Sequence, residues 1–148
     1  MLCFLDTSAL VKRFRAETGT ETVDRLVEDS TNTVVMSALS IAERGRALDT
    51  HVRTGEISSG DARLALSRLY SECHTGLLTV VDLHRRYIFH ANDLILQFHL
   101  TAPDALILAT ALHIAPEFPI FVCADTRSGL LHAAEACGLS TLNPLSPL

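Results

Sequence analysis

Four acidic side chains stand where this chain could use them together. Asp6 directly follows the apolar run Cys3-Phe4-Leu5. Glu43 lies six residues beyond Ser37, the end of Thr33-Val34-Val35-Met36-Ser37. Asp104 follows Thr101-Ala102-Pro103, and Asp125 follows Ile120-Phe121-Val122-Cys123 after one alanine. Carboxylates brought within a few ångströms repel and raise one another's pKa, and a bound divalent cation removes that conflict. Mg²⁺ and Mn²⁺ prefer oxygen ligands in octahedral geometry, and Mg²⁺ keeps several waters. A cation held this way polarises a phosphodiester oxygen and lowers the pKa of a bound water for in-line attack. Each acid also has an ordinary reading. Asp6 is a natural helix cap, as are Thr7 and Ser8. Asp104 in a first helical turn is favoured by the helix dipole, and Asp125 suits a turn. Glu43 is harder to set aside, because it lies on a largely apolar helix face and buried Glu is rare unless paired.

The elements that must position these acids follow from the hydrophobic pattern. Cys3–Leu5, Thr33–Ser37, Leu77–Val81 and Ile120–Cys123 read as short apolar strands, with Ser140–Leu142 as a last edge strand. Helices are expected over Ser8–Arg15, Thr20–Asp29, Ala38–Arg53, Asp61–Cys73, Arg85–Phe98, from Thr101 onward, and over Leu130–Cys137. In the second of these, Val23, Leu26 and Val27 recur at helical spacing. Pro103 fits the start of its helix and Gly138 terminates the last one. The turn from Thr54 to Gly60 joins two helices into a hairpin. Short apolar strands separated by helices imply an α/β domain whose parallel sheet is covered on both faces. Such sheets carry their sites at the carboxyl ends of the strands, near a switch in strand order. Asp6, Glu43 and Asp125 are expected at that edge, with Asp104 joining them.

Composition bounds the remaining possibilities. A chain of 148 residues, 48% hydrophobic and 20% charged, has material for one full core and is not disordered as a whole. Twelve basic residues against 17 acidic ones give −5, and Lys12 is the only lysine. A general nucleic-acid coating protein is excluded, so any contact with nucleic acid needs a local patch. The seven glycines never fall two apart, which removes a GxGxxG loop, and no Gly precedes the lysine, which removes a P-loop. No Gly-x-Ser-x-Gly elbow is present. The N-terminus lacks the pattern of a secretory signal. The apolar run Pro103–Pro116 is too short and polar to span a bilayer. Cys3, Cys73, Cys123 and Cys137 form no CxxC pair, which favours reduced thiols and the cytoplasm. His84, His90, His99, His113 and His132 show no zinc-ligand spacing and read as packing or surface residues. Phe14 and Tyr70 read as core.

The segments LDTSALVKRF, SALSIAE ending at Glu43, PDALILATAL around Asp104 and FVCAD ending at Asp125 resemble, in this order and spacing, the motifs of PIN domains. The resemblance is closest to the VapC-like toxins of type II toxin–antitoxin systems, and it runs from Phe4 to the closing LSTLNP. It implies one PIN domain over 1–148, a three-layer α/β/α, Rossmann-like fold with a parallel sheet of four to five strands and a helical-hairpin insertion. It implies a Mg²⁺- or Mn²⁺-dependent endoribonuclease that cleaves structured RNA such as tRNA or rRNA. Asp6, Glu43, Asp104 and Asp125 match the family's acidic, metal-holding positions, and Thr7 or Ser8 matches the accompanying hydroxyl. A homodimer and a cognate VapB-like antitoxin are implied as well. The chain departs from the family in carrying Cys123 where a hydroxyl residue often stands, and in a slightly longer stretch from Asp125 to Gly138.

Lys12, Arg13, Arg15, Arg44 and Arg46 lie close to the acidic positions in sequence and are candidates for gripping RNA phosphates. A solvated helix face is the competing explanation for each. Aromatic residues are only 5%, so base stacking cannot be widespread. A catalytically silent PIN-like module that binds RNA or an antitoxin is the alternative function, and the presence of all four acids favours the enzyme. A haloacid-dehalogenase-like phosphatase wants a second Asp two residues after the first, and Ser8 stands there instead.

Overall fold

A computed structural model describes residues 1–114 and 119–146. The end of the apolar run at Pro116 therefore lies outside the described residues. Five strands form one parallel sheet: β1 (Leu2–Leu5), β2 (Thr33–Ser37), β3 (Thr79–Val81), β4 (Ile120–Val122) and β5 (Ser140–Leu142). Their order is β3-β2-β1-β4-β5, so the chain winds outward from β1 in one direction and then returns to start again at β4. The switch in winding falls between β1 and β4, where a parallel sheet opens a crevice at its carboxyl edge.

Alternation along the strands builds two cores, although most strand residues are apolar. Phe4, Val35, Phe121 and Cys123 point to one face. They meet α5 (Arg85–Phe98), α6 (Ala102–His113) and α7 (Leu130–Ala136) through Leu94, Ile107, Leu108 and Ala133. Cys3, Leu5, Val34, Met36 and Val122 point to the other face. There they meet α1 (Thr7–Lys12), α2 (Thr20–Glu28) and α4 (Ser59–His74) through Leu10, Val23, Val27 and Leu69. The molecule is thus a three-layer α/β/α sandwich. Phe4 and Phe121 stack on neighbouring strands with centroids 5.8 Å apart. Burying a side chain of this size contributes about 2–3 kcal/mol, an upper bound because unfolded chains are partly compact.

The α3 (Ala38–Arg53) and α4 helices form the expected hairpin. Ser58 and Asp61 close a reciprocal capping box at the start of α4, which therefore begins two residues earlier than the apolar pattern indicates. The first helix is shorter than expected and stops at Lys12. Beyond it the chain turns, because Arg13 is drawn inward to Asp24 and Glu28, each at 2.7 Å, and to Glu72 at 3.3 Å. Tyr70 is 52% exposed and is not a core residue: α4 turns it away from Leu69, which is the side chain buried there. Phe14 is half-buried. Among the described residues no single helix is long and apolar enough to cross a membrane.

Candidate functional site

Asp6 is the fixed point of the crevice. Its backbone N–H donates to the Val122 carbonyl at 2.9 Å, tying the end of β1 to β4. Its carboxylate caps α1: Oδ2 accepts from the Ser8 N–H at 3.0 Å, from the Ser8 hydroxyl at 2.5 Å and from the Cys123 thiol at 3.4 Å. The capping reading of Asp6 is therefore met. Ser8 does more than cap. Its Oγ also accepts from the backbone N–H groups of Ala124 at 2.9 Å and Asp125 at 3.1 Å. One hydroxyl thus ties the first acidic position to the chain that carries the fourth.

Thr7 performs the matching task on the other side. Its hydroxyl lies between Ser40, 3.1 Å away, and the Glu43 carboxylate, to which it donates. Ser40 is fully buried in the first turn of α3. Its position within SALSIAE is visible in the sequence, but only the packing of α1 against α3 shows it to support Thr7. Thr101 caps α6 by accepting from the Asp104 N–H at 3.3 Å, which sets Asp104 in the first turn. Asp125 Oδ1 accepts from the N–H groups of Arg127 at 2.8 Å and Ser128 at 3.3 Å, forming its own turn.

Three of the acids are displaced from their ordinary pKa in the same direction. Burial raises the pKa of Asp6 against the hydrogen bonds from Ser8 and Cys123. Burial also raises Glu43, and the charges of Asp6 and Asp104 push it further, while Thr7 and Arg46 pull it down. Asp104 is raised by burial and by the charges of Asp6 and Asp125. The Cys123 thiol is pushed up to about 12, chiefly by burial and by the Asp6 charge, so it remains a neutral donor to Asp6. Cys123 thus supplies, more weakly, a hydrogen bond that a hydroxyl would supply at that position.

Among the described residues no three His, Cys, Asp or Glu side chains close into a ready-made metal cage. The donor set nonetheless suits a hard cation. It is all oxygen, and its members destabilise one another's charge, which is the condition a divalent ion relieves. Asp6, Glu43, Asp104 and Asp125 are the candidates to hold one.

The basic candidates separate by burial. Arg13 is buried and engaged by three carboxylates, so it holds α1 to α2 and α4 and offers no free charge to a ligand. Lys12 is buried and pairs with Glu17 at 3.3 Å. Arg15 and Arg46 are exposed, and Arg44 is buried. His90 and His113 hydrogen-bond to each other at 3.0 Å on α5 and α6, and His113 stacks on Tyr87, so these two serve packing.

A profile of the PIN domain family matches residues 3–134. Several solved structures share the fold. VapBC2 from Rickettsia felis, bound to a promoter DNA fragment, aligns with a TM-score of 0.63 at 16% identity, covering 97% of this chain and 98% of that one. FitAcB from Neisseria gonorrhoeae aligns with a TM-score of 0.64 at 17% identity, covering 99% and 100%. PAE2754 from Pyrobaculum aerophilum aligns with a TM-score of 0.66 at 19% identity, covering 95% and 83%. No curated protein matches the chain at a significant level.

Proposed function

The chain belongs to the PIN domain family, and on that premise we propose that it is a Mg²⁺- or Mn²⁺-dependent endoribonuclease, the toxin of a toxin–antitoxin pair. The observation that carries this reading is the hydrogen-bond net at the carboxyl edge of the sheet, where Ser8 joins the Asp6 carboxylate to the Asp125 N–H and the adjacent Thr7 donates to Glu43. A divalent cation held there supplies charge neutralisation and polarises a phosphodiester oxygen. The chain's own residues do the rest. Ser8 and Cys123 fix the orientation of Asp6, Thr7 and Ser40 fix Glu43, and the α6 cap fixes Asp104. The carboxylates are held before substrate arrives, so little reorganisation is needed at the moment of reaction. Exposed Arg15 and Arg46 are available to RNA phosphates.

The antitoxin belongs to the same reading, because VapBC2 and other solved toxin–antitoxin complexes share this fold over nearly their whole length. A homodimer and a cytoplasmic location complete the proposal. Mapping RNA ends after brief expression of the wild type and of Asp6→Asn tests it. New ends that depend on Asp6 are expected, and identical end profiles overturn the nuclease reading.

A further inference from the structure

The turn that follows β4 is fixed at both ends. Ser8 Oγ accepts from the N–H groups of Ala124 and Asp125. Asp125 Oδ1 in turn accepts from the Arg127 N–H at 2.8 Å and the Ser128 N–H at 3.3 Å. Ser128 Oγ accepts from the Leu130 N–H at 3.3 Å, where α7 begins. The backbone of Arg127 is thus set by the carboxylate of a site acid. Asp125 belongs to the crevice, since its charge is one cause of the raised Asp104. Only Oδ1 is used in the turn, and Asp125 Oδ2 accepts no hydrogen bond among the described residues.

The side chain of Arg127 is not committed. It is exposed, and its guanidinium makes no ion pair or hydrogen bond among the described residues. Arg13, Arg25, Arg53 and Arg68, by contrast, each pair with a carboxylate. The sheet order sets where the charge of Arg127 lies. Strands β2 and β4 flank β1. Arg46 rides on α3, which follows β2, and it lies near enough to Glu43 to pull its pKa down. Arg127 rides on the turn that follows β4. The two cations therefore stand on opposite sides of Asp6, at the end of β1. A crevice of four acids repels a polyanion, and positive groups at its two rims offset that repulsion where the flanking phosphates pass.

We infer that Arg127 is an RNA-backbone contact of the crevice, presented by the Asp125 turn. It grips a phosphate on the β4 side of the scissile bond, while Arg46 takes one on the α3 side. The inference rests on the ribonuclease reading and deepens it. Guanidinium groups suit the paired oxygens of a phosphate. Such contacts fix the register of the strand without reading its sequence. Asp125 then has two tasks, with Oδ2 left for a cation and Oδ1 holding the turn that carries Arg127.

Binding of a labelled, mixed-sequence single-stranded RNA across a salt series tests this, in the Asp6→Asn background so that cutting does not interfere. Adding Arg127→Gln should weaken binding several-fold. It should also lower the slope of log affinity against log salt by about 0.7, the value of one phosphate on a single strand. Arg25→Gln makes the same change on an exposed side chain beside Met1, at the opposite edge of the sheet, and should leave both quantities as they were. Melting temperatures establish that every variant is folded at the temperature used. Asp125→Asn keeps an acceptor for the turn and Asp125→Ala does not, while both remove the same charge. Asp125→Ala should therefore lose the part of the slope that depends on Arg127, and Asp125→Asn should keep it. An Asp125 that only held a cation would make the two alike, and that result overturns the presentation by the turn. Affinity and slope in Arg127→Gln equal to those in Arg25→Gln overturn the contact, as does a failure of the Asp6→Asn protein to bind RNA at any salt. The nuclease reading keeps its own test, because the RNA-end comparison leaves Arg127 in place. RNA ends that ignore Asp6, beside binding that depends on Arg127, would overturn the nuclease alone.

Discussion

At the residue scale, the hydroxyl of Ser8 joins more of the site than any carboxylate does. It donates to Asp6 and accepts from two backbone N–H groups on the loop that follows β4. Ser8→Ala leaves both N–H groups and one carboxylate oxygen short of a partner at the crevice. A destabilisation of about 2–3 kcal/mol is expected, because unmade hydrogen bonds of partly buried groups cost more than made ones contribute. For a chain of this length that lowers the melting temperature by roughly 5–10 °C. Cleavage should fall at least roughly tenfold, since Asp6 and Asp125 lose their common tie. Ser8→Thr retains the hydroxyl and should recover most of the loss. Unchanged stability and rate in Ser8→Ala would show that the two strand ends are held by the sheet alone. Cys123 illustrates a smaller version of the same economy: burial keeps its thiol protonated, and a weak donor suffices because Ser8 is the stronger one.

At the element scale, the amino-acid pattern shows which segments form and where the acids fall, while the ends of segments depend on partners distant in sequence. The limits of α3, α5 and β5 follow from the apolar rhythm and match the structure to the residue. The early end of α1 does not, because it is decided by Asp24, Glu28 and Glu72, which the fold alone brings to Arg13. For the same reason Arg13 reads in the sequence as an available phosphate contact, although the structure buries it. The acids at the ends of β1 and β4 are legible because an acid after a short apolar strand is conspicuous. Ser40 and the burial of Arg44 against Phe14 are not, because both are visible only once α1, α3 and α4 are packed together. The role of Arg13 has its own consequence. Arg13→Ala leaves Glu72, itself 9% exposed, with only Arg68 at 3.5 Å. The cost should be about 2–3 kcal/mol, below that of a fully buried pair because Asp24 and Glu28 remain hydrated. Chemical denaturation measures it directly. RNA affinity at a temperature where the variant is folded should match the wild type, and weaker binding there would give Arg13 a role in the RNA interface that its burial denies.

At the scale of the whole molecule, the acidic net charge of −5 and the proposed activity on a polyanion have the same source. With the four site acids set aside, 12 basic residues face 13 acidic ones, so the surface outside the crevice is close to neutral. The cost of concentrating negative charge at the crevice makes stability depend on pH. Asp6, Glu43 and Asp104 have pKa values raised by folding, so the native state holds protons that the unfolded chain has released. Below the ordinary carboxylate range both states are protonated and the site costs nothing through ionisation. As pH rises from that range through the raised native values, the unfolded state binds fewer protons and stability falls. The exposed Asp61 and Glu56 have lowered values and act in the opposite sense, but only at and below the ordinary range. The metal-free protein should therefore lose melting temperature between mildly acid and neutral pH, and Asp6→Asn should lose less. Mg²⁺ or Mn²⁺ should raise the melting temperature at neutral pH and do so far less at mildly acid pH, where protons already occupy the carboxylates. Chelation should reverse the gain and abolish cleavage, and Asp6→Asn should remove most of the metal response. A metal-induced shift that is equal at both pH values, or that survives Asp6→Asn unchanged, would place cation binding away from the crevice and separate the charge cluster from the chemistry assigned to it.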